Sequence, residues 1–168
     1  DNWELIICND CSTDNTQSII ENFIAKDKRI KIINLSKNHG FPAAPRNEAI
    51  KAARGEWAAM CDADDIWHPQ KLELQIECLQ KNKAVFCSSK MYNFSKDEDI
   101  KFEVPQTINT ETITFQRQLR RIRTPTSSVI LKTDLLHKFP FKTDIRYKAR
   151  EDFELWLRIH ENIGSSIK

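Results

Sequence analysis

The sequence predicts a doubly wound α/β sheet, and three observations carry that reading. Short runs rich in β-branched residues alternate with stretches of helical periodicity, polar clusters follow directly on the ends of the apolar runs, and 168 residues suit one ordinary domain. The first run, "ELIIC" (Glu4 to Cys8), reads as a buried strand. "STDNTQSIIENFIAK" follows as a helix entered through Ser, Thr and Asp caps, with Ile20, Phe23 and Ile24 on one face. "RIKIINL" is a second strand, "AAPRNEAIKAARG" a helix ended by Gly55, and "EWAAMC" a third strand. "HPQKLELQIECLQKN" continues as a helix with Pro69 near its first turn and Leu72, Ile76 and Leu79 at helical spacing. A strand at "AVFCSS" closes the series. Strand alternating with helix in this way implies a doubly wound α/β sheet.

Composition narrows the class. With 40% hydrophobic and 30% charged residues the chain is neither disordered nor built to cross a bilayer. The net charge of +2, from 26 basic and 24 acidic residues, offers no general electrostatic attraction for nucleic acid, so an anionic ligand must be held locally. Five cysteines without regular spacing, and no signal peptide, lead us to expect free thiols and a cytoplasmic protein. "CNDC" is a lone Cys-x-x-Cys pair without the second pair or the fold context of a zinc or redox site, which makes Cys8 a core residue. The chain opens at Asp1, close to strand sequence, so its ends are expected to lie inside a longer protein. Residues 1–168 then form one partial domain.

Ligands of doubly wound sheets bind beyond the carboxyl ends of the strands, and two polar clusters fall there. One is "NDCSTD" after "ELIIC"; the other is "DADD" after "EWAAMC". The second places Asp62, Asp64 and Asp65 within four residues. Two carboxylates about 4 Å apart repel by roughly 1 kcal/mol in water and by several times that in a drier cleft. A cluster of this kind needs a metal ion, a basic side chain or water beside it.

"NDCSTDNT", "AAPRNEAIKAARGEW", "CDADDIWHPQKLELQ" and "REDFELWLR", in that order and over nearly the whole chain, resemble the family 2 glycosyltransferases that use nucleotide sugars. The resemblance implies a GT-A fold, a UDP-sugar or other nucleotide-sugar donor, Mn2+ or Mg2+ as cofactor, and a saccharide or lipid-linked acceptor. It also implies work in polysaccharide or glycolipid synthesis, and it allows peripheral association with the inner membrane surface. By position, Asp10 resembles the family aspartate that contacts the base and Arg46 the arginine near the nucleotide. Asp62 and Asp64 resemble the Asp-x-Asp pair, in which the second residue binds the metal and the first faces the sugar nucleotide, while Asp65 supports the loop. Asp152 resembles the catalytic base, with Glu151 beside it. A single displacement with no enzyme nucleophile inverts the anomeric centre.

The chain also departs from the family pattern. The family's first strand is expected to be missing before Asp1, Asn9 stands where another aspartate is frequent, Cys11 replaces a usual glycine, and Pro45 precedes Arg46 where alanine is common.

Plainer readings compete at each position. Asp10, Ser12 and Asp14 are all suited to capping the first helix, the aspartates to a solvated turn, and Glu151 with Asp152 to a helix N-terminus. His68, His137 and His160 are isolated and read as surface or packing residues, whereas His39 in "KNHGFP" is a loop residue near the nucleotide. Trp67 and Trp156 read as packing residues before sugar-stacking ones. Arg117, Arg120, Arg121 and Arg123 of "RQLRRIR" read as a solvated helical face before a site for anionic lipid or a diphosphate-bearing acceptor. Two other functions remain open at this point: a regulatory nucleotide-binding remnant, and an aspartate-nucleophile phosphatase, which "DADDI" fits but for which no convincing downstream lysine and acidic motif follows.

Overall fold

The computed structural model describes residues 2–96, 100–103, 107–120 and 124–168. In chain order its first elements are β1 (Leu5–Asn9), α1 (Thr16–Lys26), β2 (Ile30–Asn34), α2 (Ala43–Ala52), β3 (Trp57–Ala59), α3 (Lys71–Lys81) and β4 (Phe86–Ser88). β5 (Thr112–Thr114), α4 (Phe115–Leu119), β6 (Val129–Lys132), α5 (Thr133–Lys138), α6 (Glu151–Ile163) and β7 (Ser165–Ile167) follow. The chain divides into two compact units, Asp1–Ala58 with Thr133–Leu155, and Ala59–Lys132 with Trp156–Lys168.

In the first unit β1 and β2 run parallel, Leu5 opposite Ile30 and Asn9 opposite Asn34, with α1 as the crossover that parallel strands require. α1 starts at Thr16 rather than at the Ser-Thr-Asp cluster. Asp14 accepts the Thr16 N–H at 3.0 Å, so the expected capping chemistry is spent on a turn just outside the helix. Ile20 is buried and Ile24 half-buried, but Phe23 is 55% exposed, contrary to the expected shared face. It lies one residue, about 100° of rotation, round the helix from Ile24. α2 ends at Ala52, where Ala53 turns extended, so Gly55 does not terminate it. Gly55 instead sits close to the backbone, where an added Cβ would meet the Trp57 carbonyl oxygen at 3.2 Å. Asn47 of α2 clasps Phe141 from both sides: its Nδ2 donates to the Phe141 carbonyl at 2.8 Å and its Oδ1 accepts the Phe141 N–H at 2.9 Å.

The second unit holds a mixed sheet in which β6, β4, β7 and β5 lie in that order. β4 runs antiparallel to β6 and parallel to β7, and β5 runs antiparallel to β7. The expected α/β architecture is thus present with a mixed sheet in this unit. Among the described residues no helix lies between β4 and β5, so the long segment after β4 is free to return β6 in the opposite direction. α3 also differs from expectation. It buries Lys71, Gln75 and Leu79 and leaves Leu72 41% exposed, because Gln75 docks the helix by donating to the Ser128 carbonyl at 3.0 Å.

The centre of this unit is aromatic. Phe86 packs edge-on against Trp156 (centroids 5.4 Å apart) and against the His160 ring (5.0 Å). His160 is fully buried, with Nδ1 at 2.7 Å from the Trp156 carbonyl oxygen and Nε2 at 2.7 Å from Ser166 Oγ. Burial lowers its pKa, so Nδ1 donates and Nε2 accepts in a neutral core histidine. Trp156 is likewise a packing residue, its indole N–H donating to the Thr124 carbonyl at 3.0 Å.

Arg117 of α4 pairs with Glu111 at 2.8 Å on the surface, while Arg121 and Arg123 lie outside the described residues. All five cysteines are free thiols, and among the described residues no helix is long and apolar enough to cross a membrane. Replacing Trp156 by Ala removes a fully buried ring and its hydrogen bond. We expect a loss of about 3–5 kcal/mol in equilibrium urea unfolding, larger than for any exposed aromatic such as Tyr92.

Candidate active site

Four of the candidate residues belong to the first unit, and two pairs of contacts organise them. The sharper is between charges. The Arg46 guanidinium meets Glu151 Oε1 at 3.2 Å, with both side chains largely withdrawn from solvent. The same guanidinium lies over the Phe141 ring, 5.3 Å from its centroid. Because Asn47 grips the Phe141 backbone, adjacent residues of α2 fix both the ring and the cation that rests on it. Glu151 is 5% exposed, and among the described residues its buried Oε2 has no hydrogen-bond partner. It is therefore no solvated helix-start residue: a buried carboxylate held at one oxygen presents the other as an open acceptor.

Asp152 follows in the first turn of α6, half-buried, with Oδ1 accepting the Phe153 N–H at 2.6 Å. Ala149, two residues before Glu151, takes a left-handed φ of 62°, a conformation that costs a residue with a Cβ roughly 1 kcal/mol or more. The helix start is thus approached through a strained residue.

Asp10 does not cap α1. Its carboxylate accepts the His39 backbone N–H at 2.9 and 3.1 Å and faces His39 Nδ1 at 2.7 Å. An ionised carboxylate only accepts, so Nδ1 carries the proton in that contact. Asn38 Nδ2 donates to the Asp10 carbonyl at 2.8 Å, and Gly40 closes the turn at φ 75°, where glycine is at ease. Asp10 and His39, linked in sequence only by inference, are direct partners.

Cys11 takes a backbone conformation that favours glycine. Its φ of 59° is left-handed, and its thiol donates to the Leu35 carbonyl at 2.9 Å. Asn9 ties the two strand ends together, donating from Nδ2 to Asn34 Oδ1 at 3.0 Å and accepting the Ser12 N–H on its own Oδ1 at 3.0 Å.

Asp62, Asp64 and Asp65 belong to the second unit and form a turn, closed by the Asp65 N–H donating to the Asp62 carbonyl at 3.1 Å. The turn is not merely solvated. Ser127, 2% exposed, pins it at two points: its Oγ accepts the Asp62 N–H at 2.8 Å, and its carbonyl accepts the Trp67 indole N–H at 2.9 Å. Asp64 remains exposed, while Asp62 and Asp65 are half-buried. The Cys61 thiol beside them is pushed up by burial, then by Asp65 and Asp62, with Lys71 acting the other way.

Sequence reasoning passed over Ser127, Asn47, Phe141 and Lys71. Small polar residues in "TPTSSVI" carry no periodic signal, and a lysine at a helix start reads as surface. The only available sign was spacing, since Lys71 and Gln75 stand four apart on the face of Leu79.

Comparison with known proteins now bears on these arrangements. The Glycosyl transferase family 2 model matches residues 1–142. The chain is 36% identical over 160 residues to the Escherichia coli UDP-Glc:alpha-D-GlcNAc-diphosphoundecaprenol beta-1,3-glucosyltransferase WfgD, covering 94% of this chain and 58% of that protein. It therefore spans rather more than half the length of that relative. Among solved structures, S. aureus TarS 1-349 superposes with a TM-score of 0.76 at 29% identity, over 95% of this chain and 46% of TarS. A structure of the same TarS segment in complex with UDP matches at TM-score 0.72 and 26% identity, over 95% and 46% of the two chains. The mannosyltransferase PcManGT from Pyrobaculum calidifontis, in complex with GDP-Man and Mn2+, shares the fold at TM-score 0.66 and 18% identity, over 96% of this chain and 44% of its own. With its mixed α/β fold matched to these enzymes and its sequence matched along most of its length, the chain belongs to glycosyl transferase family 2.

Proposed function

We propose that this chain is the catalytic part of an inverting, metal-dependent glycosyltransferase that moves a sugar from a UDP-sugar to a lipid-linked saccharide acceptor. The observation that carries the reading is the 36% identity to WfgD across nearly the whole chain, since the name of that enzyme specifies a UDP-sugar donor and a diphosphoundecaprenol-linked acceptor. TarS supports the donor class, because the matching TarS segment was solved with UDP. Work on polysaccharide or glycolipid precursors at a membrane surface follows from the same acceptor chemistry.

The residues suit these roles chemically. Asp64 and Asp62 offer hard oxygen ligands on an anchored turn, the donor set that Mn2+ or Mg2+ takes when one or two carboxylates share the ion with substrate phosphates. Bound there, the cation would offset the charge of the departing nucleoside diphosphate. Asp65 closes the turn. Asp10 holds the Asn38–Gly40 turn through His39, so the two residues together would form the wall against the base. Asp152 would take the proton from the acceptor hydroxyl onto its carboxylate as the anomeric carbon becomes oxocarbenium-like. Glu151, held by Arg46, fixes the first turn of α6 from which Asp152 projects. In this reading Arg46 serves the nucleotide site chiefly through Glu151.

The assignment of the cation is tested by titrating UDP with Mn2+ into Asp64→Asn and Asp65→Asn. Asp64→Asn should weaken metal-dependent binding by roughly tenfold or more, since a charged ligand of the ion is lost, and Asp65→Asn by much less. Equal small losses would sink it.

Transfer itself is tested with Asp152→Asn in the full chain, using a UDP-sugar and a diphospholipid-linked saccharide. Turnover should fall roughly a hundredfold or more while UDP affinity stays within about twofold. Near-normal turnover would remove Asp152 from the reaction. UDP binding by the wild-type chain without transfer to any acceptor would favour a regulatory remnant instead.

A further inference from the structure

α3 buries a lysine where a core residue belongs. Lys71 is 9% exposed, on the same face as Gln75 and the fully buried Leu79. Among the described residues its Nζ has no hydrogen-bond partner, and it stands 4.4 Å from the centroid of the Trp67 ring. Such a placement opposes folding, because an ammonium out of water without a hydrogen-bonded anion forfeits its hydration. The amine accordingly titrates low, pushed down to about 8 by burial, with Cys87 and Cys61 acting slightly the other way. Methionine or leucine would fill the space without that cost. The position therefore calls for a reason beyond packing.

The contacts of Trp67 supply one. The indole face receives the Lys71 ammonium, and the indole N–H is bonded to the Ser127 carbonyl at 2.9 Å. Ser127 Oγ in turn holds the Asp62 N–H at 2.8 Å. The acidic turn between Asp62 and Trp67 hangs from one serine at both ends, and one of those attachments is braced by the cation. The ammonium thus rests on the ring that carries one of the two tethers of the turn, rather than on the carboxylates as a bonded partner.

We propose that Lys71 is a positioning residue for the acidic turn, its buried ammonium bracing Trp67 and so holding Asp62 and Asp64 ready for the cation of a nucleoside diphosphate. The assignment rests on the donor-binding reading given above and adds to it a residue that touches neither donor nor ion.

The test compares wild type with Lys71→Met, Trp67→Leu and the double variant in the full chain. The measurements are melting temperature, amide hydrogen exchange of residues 61–68 without ligand, and UDP affinity with Mn2+. Lys71→Met should melt no lower than wild type, since it removes a buried charge. Exchange in the turn should rise roughly tenfold and UDP affinity fall by a similar factor, as expected for a desolvated cation–π contact. The double variant should be no worse than Trp67→Leu alone, because both substitutions break one interaction.

A lower melting temperature with unchanged exchange in the turn would make Lys71 a packing residue and overturn the proposal. So would unchanged exchange and affinity in a stabilised variant. Failure of the wild-type chain to bind UDP with Mn2+ would remove the donor reading on its own, and the exchange and melting comparison would still decide whether Lys71 braces the turn.

Discussion

The buried ion pair between Arg46 and Glu151 is the constraint on which the first unit of the molecule depends. A carboxylate at 5% exposure is tolerable only beside a cation, and at 3.2 Å the guanidinium is that cation. The pair joins the middle of α2 to the first residue of α6, so the orientation of Asp152 is inherited from a helix far earlier in the chain. Phe141 beneath the guanidinium and Asn47 around Phe141 extend the same support. Removing one member of such a set leaves the other charge buried and uncompensated, which costs more than the pair contributes. Its value lies in specifying one arrangement.

The second unit solves the opposite problem. There the turn that carries the aspartates is tied to Ser127 through its backbone and through Trp67. Backbone N–H and indole N–H donors suffice for this because Ser127 is buried, where a hydrogen bond is little contested by water. Positive charge is kept one ring away, in Lys71. In one unit charge opposes charge directly; in the other it is buffered by an aromatic face. The difference suits the tasks proposed for them, proton transfer to a positioned carboxylate and reception of an ion on a tethered turn.

Strain is placed with the same economy. Cys11 and Ala149 take left-handed backbone angles at the turn after β1 and just before α6. Both stand beside residues to which the family resemblance gives a role, and both are held by their neighbours: the Cys11 thiol by Leu35, and the Arg150 N–H after Ala149 by the Tyr147 carbonyl at 2.8 Å. A strained residue persists only where its surroundings over-determine it.

Much was legible from sequence because much is local. The strands near Leu5, Ile30 and Phe86 and the helices between them follow from periodicity, and the ordered motifs around Asp10, Arg46, Asp62, Asp64, Glu151 and Asp152 pointed to one family, which the comparisons show. Errors arose where a non-local contact outweighed local preference. Periodicity sets Phe23 inward, yet it lies outward; it sets Leu72 on the inner face, which Lys71 takes because Gln75 docks on Ser128. The direction of β6 against β4 is invisible to a pattern that repeats every two residues whichever way the strand runs. By itself the sequence determined the family, the element types and the identity of the acidic residues, since these depend on neighbours along the chain. Only the tertiary structure decided that Arg46 answers Glu151, that His39 answers Asp10 and that Ser127 suspends the acidic turn, because those pairings join residues 105, 29 and 65 positions apart. Contacts across such separations follow from how whole elements pack, and no local propensity encodes them.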